Sequence, residues 1–310
     1  MTDSSAIASL NVSEQARAKG PKRLAVLAPE DEEFMVAIKK SRELGYIEPV
    51  LIGNAGKMEQ LADKVGFDIS RFEKIIENDR QAIADLGIGM LFSGNLSVAS
   101  KGQMPTSFIY RSIIRAEAKA GSGMTVSVAA LWEIPGLDHL VAFTDSGVSI
   151  LPDYKTKVEI LKNAVFLCRV LGYKKPRIAV LSGQRKFGGT LSSHRDYKQL
   201  RKAAAAGEFG ECEILEATSF TEIFTGSRGR LRNDGKIDIM KMPHIILVPS
   251  LDTGNIICKL DFFLDVRRCA LLVTSKGAVI IPARSDLSDS IIEQVAMGVV
   301  VADRMEKEVM

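Results

Sequence analysis

Residues 23–33 read Arg-Leu-Ala-Val-Leu-Ala-Pro-Glu-Asp-Glu-Glu, an apolar run followed at once by an acidic one. The apolar run predicts a buried strand, and the acidic residues suit the positively polarised amino end of a following helix. That helix is expected to end near Gly45, and residues 48–53 predict a second strand. A strand, a helix and a strand in succession are typical of a parallel sheet with helices on its faces. The stretch therefore predicts an α/β fold.

The same alternation continues along the 310 residues, which exceed what one hydrophobic core usually supports. A third strand is predicted at 88–92, and a loop rich in Gly, Ser and Pro follows at 93–106. Pro152 precedes a long amphipathic helix over 153–171, where we expect the change of domain. Further strands are predicted at 125–132, 140–144, 177–182, 244–249 and 270–274, and further helices at 107–119 and 287–307.

The composition is that of an ordinary globular protein, with 46% hydrophobic and 25% charged residues and a net charge of +3. Lys and Arg are spread along the chain, so no nucleic-acid partner is predicted. No apolar run is long enough for a membrane span or a signal sequence, so we expect a cytoplasmic protein without membrane contact. The cysteines lack CxxC spacing and the histidines lie apart from them, so neither disulfides nor a metal site are predicted.

Small polar residues follow three of the predicted strands. Backbone N–H groups and close approach at glycine hold phosphate groups, and open α/β sheets bind ligands beyond the carboxyl ends of their strands. Ordinary turns and helix caps explain the same residues, so both interpretations stay open. The candidates are Ser93, Gly94 and Asn95 after the third strand, Asp145 after the strand at 140–144, and Gly254 and Asn255 after the strand at 244–249.

Two arginines add planar, forked donors that match the geometry of a phosphate group. Arg111 lies on the helix after the first loop, and Arg284 lies just before the last helix. Both are candidates for binding one anion, and a surface position explains either of them equally well. A basic loop at 227–232 is a weaker candidate, since such runs are more often simply solvated. The sequence has no GxSxG, no Walker A motif and no well-placed GxGxxG.

Three groups of residues, in conserved order and spacing, carry a resemblance to a known family. They are residues 132–138 (Trp-Glu-Ile-Pro-Gly-Leu-Asp) with 143–145 and 152–164, residues 246–249 with 254–259, and Ser275-Lys276-Gly277 with Arg284 and Asp286. Together they resemble the phosphate acetyltransferases and butyryltransferases, and the butyryltransferases most. The likeness runs from about residue 23 to residue 302 and weakens between 185 and 242.

The resemblance implies two α/β/α domains with a cleft between them, as in isocitrate and isopropylmalate dehydrogenases. The expected domains are 1–152 with 283–310, and 153–282. The resemblance also implies a homodimer that transfers a short acyl group between coenzyme A and phosphate, with coenzyme A as a substrate and no tightly bound cofactor or metal. The residues it implies are Arg111, Arg284 and Asp286 for catalysis, and Ser93, Gly94, Asn95, Asp145, Gly254, Asn255 and Lys276 for binding coenzyme A.

The sequence departs from the family at several polar positions. Ser93-Gly94 stands where the family commonly has Lys-Gly after the third strand, and Ala283 stands where a Ser precedes the arginine. Met124 and Ser127-Val128 replace an Arg and a Ser-His pair. Because losing one transition-state donor lowers a rate by about a hundred- to a thousandfold, a change of chemistry stays open.

Two alternatives therefore stand beside the acyltransferase. One is a non-catalytic relative that binds coenzyme A or a phosphorylated ligand. The other is a dehydrogenase of the related fold, which would need metal-binding acids, and its candidates are Asp145, Asp252 and Asp286.

Overall fold

A computed structural model describes residues 12–183, 190–225, 242–264 and 266–308, and the predicted α/β fold class is confirmed. The basic loop at 227–232 lies outside these ranges. The strands are β1 (Lys22–Leu27), β2 (Ile47–Gly53), β3 (Glu73–Ile76), β4 (Val98–Lys101), β5 (Ala129–Glu133), β6 (Val141–Thr144), β7 (Arg177–Val180), β8 (Glu213–Ile214), β9 (Ile245–Leu247), β10 (Arg267–Val273) and β11 (Ala278–Ile280). The helices are α1 (Val12–Lys19), α2 (Glu32–Glu43), α3 (Ala55–Lys64), α4 (Arg80–Phe92), α5 (Thr106–Ala120), α6 (Tyr154–Val170), α7 (Ser192–Ala205), α8 (Phe220–Thr225), α9 (Leu251–Cys258) and α10 (Ser288–Glu308), with a short 3-10 helix at Lys259–Phe262.

The chain divides into two compact units whose bounds differ from the predicted domains. The terminal unit consists of Leu10–Val126 and Cys269–Met310, and the central unit has Ser127–Arg268 as its main part. β5 and β6 join the central unit because β6 pairs in parallel with β9 and in antiparallel with β5. β11 joins the terminal unit because it pairs in parallel with β4. The pairing of the strands thus sets both unit boundaries, and the order of residues in the sequence does not reveal this pairing.

The sheet of the terminal unit has the strand order β3-β2-β1-β4-β11-β10, and only β10 runs antiparallel to its neighbour. The strands β4 and β11 are buried throughout and β1 is buried from Leu24 onward, as expected for a parallel sheet covered on both faces. The strands β2, β1, β4 and β11 all end at the same side, which we call the carboxyl edge; the opposite side is the amino edge. No helix within the described ranges is both long and apolar enough to cross a membrane.

The third predicted strand is wrong, because residues 88–92 are the second half of α4. Asp79 caps this helix through its side chain, and the buried residues Ile83, Gly87, Ile88 and Leu91 recur with helical spacing. A side chain at Gly87 would collide with Leu27, so glycine lets the helix pack closely on β1. The next strand is β4, which lies inside the segment predicted as a loop.

The sheet of the central unit has the order β5-β6-β9-β7-β8 and is parallel except for β5. Its core packs Trp132 against Phe143, with ring centroids 4.8 Å apart, among buried aliphatic side chains of β7 and β9. The helix predicted over 153–171 is α6, which Asp153 caps. The strands β6, β9, β7 and β8 define a carboxyl edge of this unit in the same way.

Candidate active site

Two chain segments touch through their backbones at the carboxyl edge of the terminal unit. The N–H of Gly102 donates to Leu27 O and that of Gln103 donates to Ala28 O, both at 2.8 Å. A side chain at Gly102 would collide with the carbonyl of Ala28, so only glycine allows this crossing. Ala28 itself has φ 58°, a left-handed conformation that is costly for any residue with a Cβ. Strained backbone of this kind is concentrated at functional sites.

Lys101 is the last residue of β4 and is only 3% exposed, which is unusual for a lysine. Burial and, to a smaller extent, the positive charge of Arg284 lower its pKa to about 8, against the opposing effect of the negative charge of Asp286. Within the described part of the chain, its ammonium donates to the carbonyl of Gly102 at 3.3 Å. An ammonium group has three donors, so this side chain is equipped to bind an anion.

The segment after β11 brings Arg284 and Asp286 to the same edge. Asp286 accepts hydrogen bonds at Oδ2 from the N–H of Ala283 and from Gln294 Nε2, both at 2.8 Å. These bonds close the turn that carries Arg284 and tie it to the first turns of α10. The turn leaves the guanidinium exposed and close enough to Lys101 to perturb it. Two cations and one carboxylate give this corner a net positive charge.

A buried carboxylate, Glu30, completes the edge. Its oxygens accept from Arg80 at 3.0 and 2.7 Å, from Lys57 at 3.0 Å and from the N–H of Asn54 at 3.3 Å. Burial alone would raise the pKa of Glu30, but the bonds from Arg80 and Lys57 outweigh it and the pKa is lowered. Glu30 thus ties together the end of β1 and the beginnings of α3 and α4. From the sequence alone, Glu30 is expected only to interact with the positively polarised amino end of the following helix.

Ser93, Gly94 and Asn95 do not follow a strand, which corrects their predicted setting. They end α4: the N–H of Gly94 donates to Leu91 O, that of Asn95 donates to Met90 O, and Gly94 has φ 79°. This is the usual glycine-terminated end of a helix. The carboxyl end of a helix carries negative partial charge, which disfavours an anion.

The same correction removes one apparent departure from the transferase pattern. The strand that precedes the loop is β4, and the residues at its end are Lys101-Gly102 rather than Ser93-Gly94. The Lys-Gly pair is therefore present at the expected place. The pair is visible in the sequence, but a strand predicted at 88–92 directs attention to Ser93-Gly94 instead.

Lys276 lies at the amino edge of the terminal unit. It is exposed in the turn between β10 and β11, two residues before Ala278, which pairs with Val98 at the start of β4. Glu117 anchors this turn by accepting from the N–H of Ser275 at 2.8 Å and from its hydroxyl at 2.7 Å. The structure therefore separates Lys276 from the cations of the carboxyl edge by the length of the strands.

Arg111 lies on α5 in the same unit as Arg284. Its Nη1 donates to Gln81 Oε1 at 2.9 Å, and its guanidinium lies over the ring of Phe108 at 5.6 Å from the centroid. The side chain is exposed. Its described contacts are thus on the α4–α5 surface, whereas those of Arg284 are with the cluster at the carboxyl edge.

Asp145 organises a loop at the carboxyl edge of the central unit. Its side chain is buried, and both carboxylate oxygens are engaged by backbone N–H groups at 2.8 to 3.2 Å. Because both oxygens already accept hydrogen bonds from the backbone, the structure favours a role for Asp145 in shaping the turn over a role in binding a ligand. The donors are Val128, Gly147, Val148 and Ser149.

Gly254 and Asn255 lie near this loop on α9. A Cβ at Gly254 would lie 3.0 Å from the carbonyl oxygen of Asp145 and 3.0 Å from Ser146 Cα, so glycine lets α9 approach the loop. The side chain of Asn255 is exposed, and the helix is capped by Ser250. The structure thus brings Asp145, Gly254 and Asn255 together in one unit.

The acids proposed for a dehydrogenase are divided between the units, since Asp145 and Asp252 lie in the central unit and Asp286 lies in the terminal one. The carboxylates of Asp145 and Asp286 already accept backbone or amide hydrogen bonds. Over residues 12–183, 190–225, 242–264 and 266–308, no group of three His, Cys, Asp or Glu side chains is placed to share a metal ion.

Known proteins resemble this chain in sequence over most of its length. A family profile described as phosphate acetyl/butaryl transferase matches residues 86–208, which include β4, Lys101 and the Asp145 loop. The predicted resemblance to this transferase family is confirmed. Phosphate butyryltransferase of Clostridium acetobutylicum is 23% identical over 289 residues, covering 93% of this chain and 96% of that protein. Phosphate butyryltransferase of Clostridium beijerinckii is 26% identical over 294 residues, covering 91% and 94%.

Solved structures of the transferase family share the fold. A branched-chain phosphotransacylase from Enterococcus faecalis matches with a TM-score of 0.71 at 20% identity, covering 92% of this chain and 99% of that one. A phosphotransacetylase from Streptococcus pyogenes matches with a TM-score of 0.72 at 16% identity, covering 94% and 98%. A 4-hydroxythreonine-4-phosphate dehydrogenase from Klebsiella pneumoniae matches with a TM-score of 0.58 at 12% identity, covering 91% and 100%. The dehydrogenase-like character of the fold is thereby supported.

Proposed function

We propose that this chain is a phosphate acyltransferase that converts a short acyl-CoA and phosphate into an acyl phosphate and coenzyme A, and catalyses the reverse reaction. The observation that carries the proposal is the buried ammonium of Lys101 beside Arg284 at the carboxyl edge of a parallel sheet. Ligands of open α/β sheets bind at such edges, and a tetrahedral oxyanion suits one ammonium and one guanidinium. Coenzyme A acts as a substrate, and no tightly bound cofactor is required.

Arg284 and Lys101 would hold phosphate and reduce the repulsion between it and the reacting acyl group. A phosphate oxygen attacks the thioester carbonyl, a tetrahedral oxyanion forms, and the carbon–sulfur bond breaks to release the coenzyme A thiolate. In the reverse direction the thiolate attacks the acyl phosphate and phosphate leaves. Fixed positive charge near the developing oxyanion is the main rate effect available to such a site.

Asp286 contributes to this reaction by holding Arg284 in position. Its bonds to Ala283 N and Gln294 hold the turn of Arg284, so the guanidinium is aimed before substrate binds. Ala283 carries no hydroxyl, and the neighbouring Ser285 is exposed. The charge stabilisation in this chain therefore rests on the two cations.

A further part of the proposal is that the protein is a cytoplasmic homodimer with acyl-CoA and phosphate as its partners, and without nucleic-acid or membrane partners. An exposed apolar stripe in the central unit supports the dimer. Its residues follow one another at intervals of four, three and one along α9, the 3-10 helix and the two positions after it, and all are exposed: Ile256, Leu260, Phe263 and Leu264. Such a stripe is typical of a surface that a second copy covers.

The test is a direct assay with acetyl-CoA, propionyl-CoA and butyryl-CoA, with and without phosphate, in which thiol release is followed. Phosphate-dependent release with one of these substrates is expected. If coenzyme A binds but no thiol is released from any acyl-CoA, the protein is the non-catalytic relative that the missing hydroxyl at Ala283 favours.

A further inference from the structure

The central unit contains a cavity of about 270 Å³ at its own carboxyl edge. Three of its lining residues, His194, Tyr197 and Arg201, come from α7, and Glu216 and Thr218 follow the edge strand β8. β7 and β8 run in parallel, and this end of a parallel sheet is where α/β proteins commonly bind ligands.

Two polar atoms of the lining lack a partner. The hydroxyl oxygen of Thr218 and the Nδ1 of His194 are buried, and neither has a hydrogen-bond partner among the residues that the structure describes. Thr218 is only 1% exposed, while its backbone is held by the N–H of Ser182, which donates to Thr218 O at 2.7 Å. Leaving a buried hydroxyl unsatisfied is costly. Both atoms belong to residues that line the same cavity, so a ligand entering beside them can supply the missing partners.

The charges of the lining indicate which ligand. Arg201 donates to Tyr197 Oη at 3.1 Å and to Glu216 Oε1 at 3.2 Å. The side chains of Arg201 and Glu216 are 51% and 70% exposed. Ion pairs as exposed as this contribute little to stability, so an incoming anion displaces Glu216 from the guanidinium at small cost.

Once Glu216 has moved away, hydrogen-bond donors outnumber acceptors among the side chains described around the cavity. Arg201 has five N–H donors, two of which make the bonds just described, and the Thr218 hydroxyl and, in its Nδ1–H tautomer, the His194 ring add two more. Glu216 is the one carboxylate among the lining residues that the structure describes, and its exposure lets it turn to water.

We propose that this cavity binds a small oxyanion, a carboxylate or a phosphate group, with Arg201 as its cation and Thr218 and His194 as hydrogen-bond partners. The site belongs to a different unit from Lys101 and Arg284, and it stands whether or not the protein is an acyltransferase.

The test uses the nitrogen resonances of the histidine side chains in the full-length protein. The chain has three histidines, and the other two, His139 and His244, lie just before β6 and β9 at the opposite edge of the same unit. Inorganic phosphate, acetate and butyrate are titrated separately at constant ionic strength with chloride. A saturable shift of His194 is expected with at least one of them, while His139 and His244 stay unchanged and report an intact fold. Saturation with phosphate alone or with the carboxylates alone identifies the source of the oxyanion.

Variants distinguish binding in this cavity from the effect of changing the protein's charge elsewhere. Arg201→Gln is expected to weaken binding at least tenfold and Thr218→Val about fivefold, while Glu216→Gln strengthens it. Arg195→Gln removes a charge from an exposed position of the same helix, and Lys101→Met removes one from the other unit; both should leave the His194 titration unchanged. The proposal is overturned if none of the three anions gives a saturable shift, or if the shift persists in both Arg201→Gln and Thr218→Val.

Discussion

Lys101 and Arg284 carry like charges at the ends of neighbouring parallel strands, so each is positioned to be neutralised by the same anion. Burial and the nearby guanidinium of Arg284 together lower the pKa of Lys101 to about 8. Two cations that disfavour each other in the free protein favour a bound dianion strongly. The cluster therefore has the electrostatics of a phosphate site.

Replacement of this ammonium should abolish most of the activity. Lys101→Met is expected to lower kcat/KM for phosphate by about a hundredfold, because the change removes the buried charge and keeps a similar volume. Lys276→Met is the matched control, since it removes an exposed lysine at the amino edge of the same unit and should leave kcat/KM unaltered. Equal losses in the two variants would contradict the placement of the site. The measurement is initial-rate kinetics with phosphate varied.

The activity should depend on pH through the same lysine. Because the pKa of Lys101 is lowered to about 8, the fraction of charged ammonium falls as the pH rises through that value. The KM for phosphate is therefore expected to rise by about tenfold per pH unit above the pKa. In Lys101→Met this rise should disappear. A KM that is independent of pH between 7 and about 10 in the unmodified protein would exclude Lys101 as a phosphate ligand.

The guanidinium of Arg284 should contribute separately. Arg284→Ala is expected to lower turnover at least tenfold, because an exposed, forked donor next to the buried ammonium is lost. Arg284→Lys should restore only part of the rate, since it returns the charge without the planar fork. Lys119→Ala, at an exposed position near the end of α5, is the control. An unchanged turnover number for Arg284→Ala would remove this residue from the mechanism.

The course of the chain at α4 and β4 explains why Lys101 was missed. Residues 88–92 are a short apolar run, and such a run has the same composition in a buried helix as in a buried strand. The true strand, Val98–Lys101, ends in a serine and a lysine that are both buried, which no pattern of hydropathy indicates. In the fold they pair with Val26 and Leu27 of β1, residues far from them in sequence. Elements with a clear period or cap, such as α6 after Asp153, were predicted to within about one residue.

A buried histidine pair should make the central unit sensitive to acid. The rings of His139 and His244 lie 4.6 Å apart, and burial, followed by the charge of Arg177 and the neighbouring His139, lowers the pKa of His244 to about 3 against the opposing effect of Asp138. The unfolded chain takes up a proton near pH 6.5 that the folded state refuses until about 3. The free energy of unfolding should therefore fall with decreasing pH across this window, by up to about 1.4 kcal/mol per pH unit.

Urea denaturation followed by the fluorescence of Trp132 tests this, because it is the single tryptophan of the chain and lies in the same unit. His244→Asn is the informative variant. Its amide oxygen can still accept the hydrogen bond that Arg177 N donates to His244 Nδ1 at 2.9 Å, but it does not titrate. A shallower dependence on pH is expected in this variant. The same slope in both proteins would show that other groups cause the acid sensitivity.

The apolar stripe on α9 and the 3-10 helix should control the assembly of the protein. Phe263 is 86% exposed, so a charge there costs nothing in an isolated chain but is buried without a partner if a second copy packs on the stripe. Phe263→Asp is therefore expected to give a monomer at concentrations where the unmodified protein is a dimer, as measured by light scattering after gel filtration. Ile76→Asp, at an exposed apolar position in the terminal unit, is the matched control and should keep the dimer. If both variants remain dimeric, the two copies meet on another surface, because a buried, unpaired aspartate would otherwise shift the equilibrium by several kcal/mol.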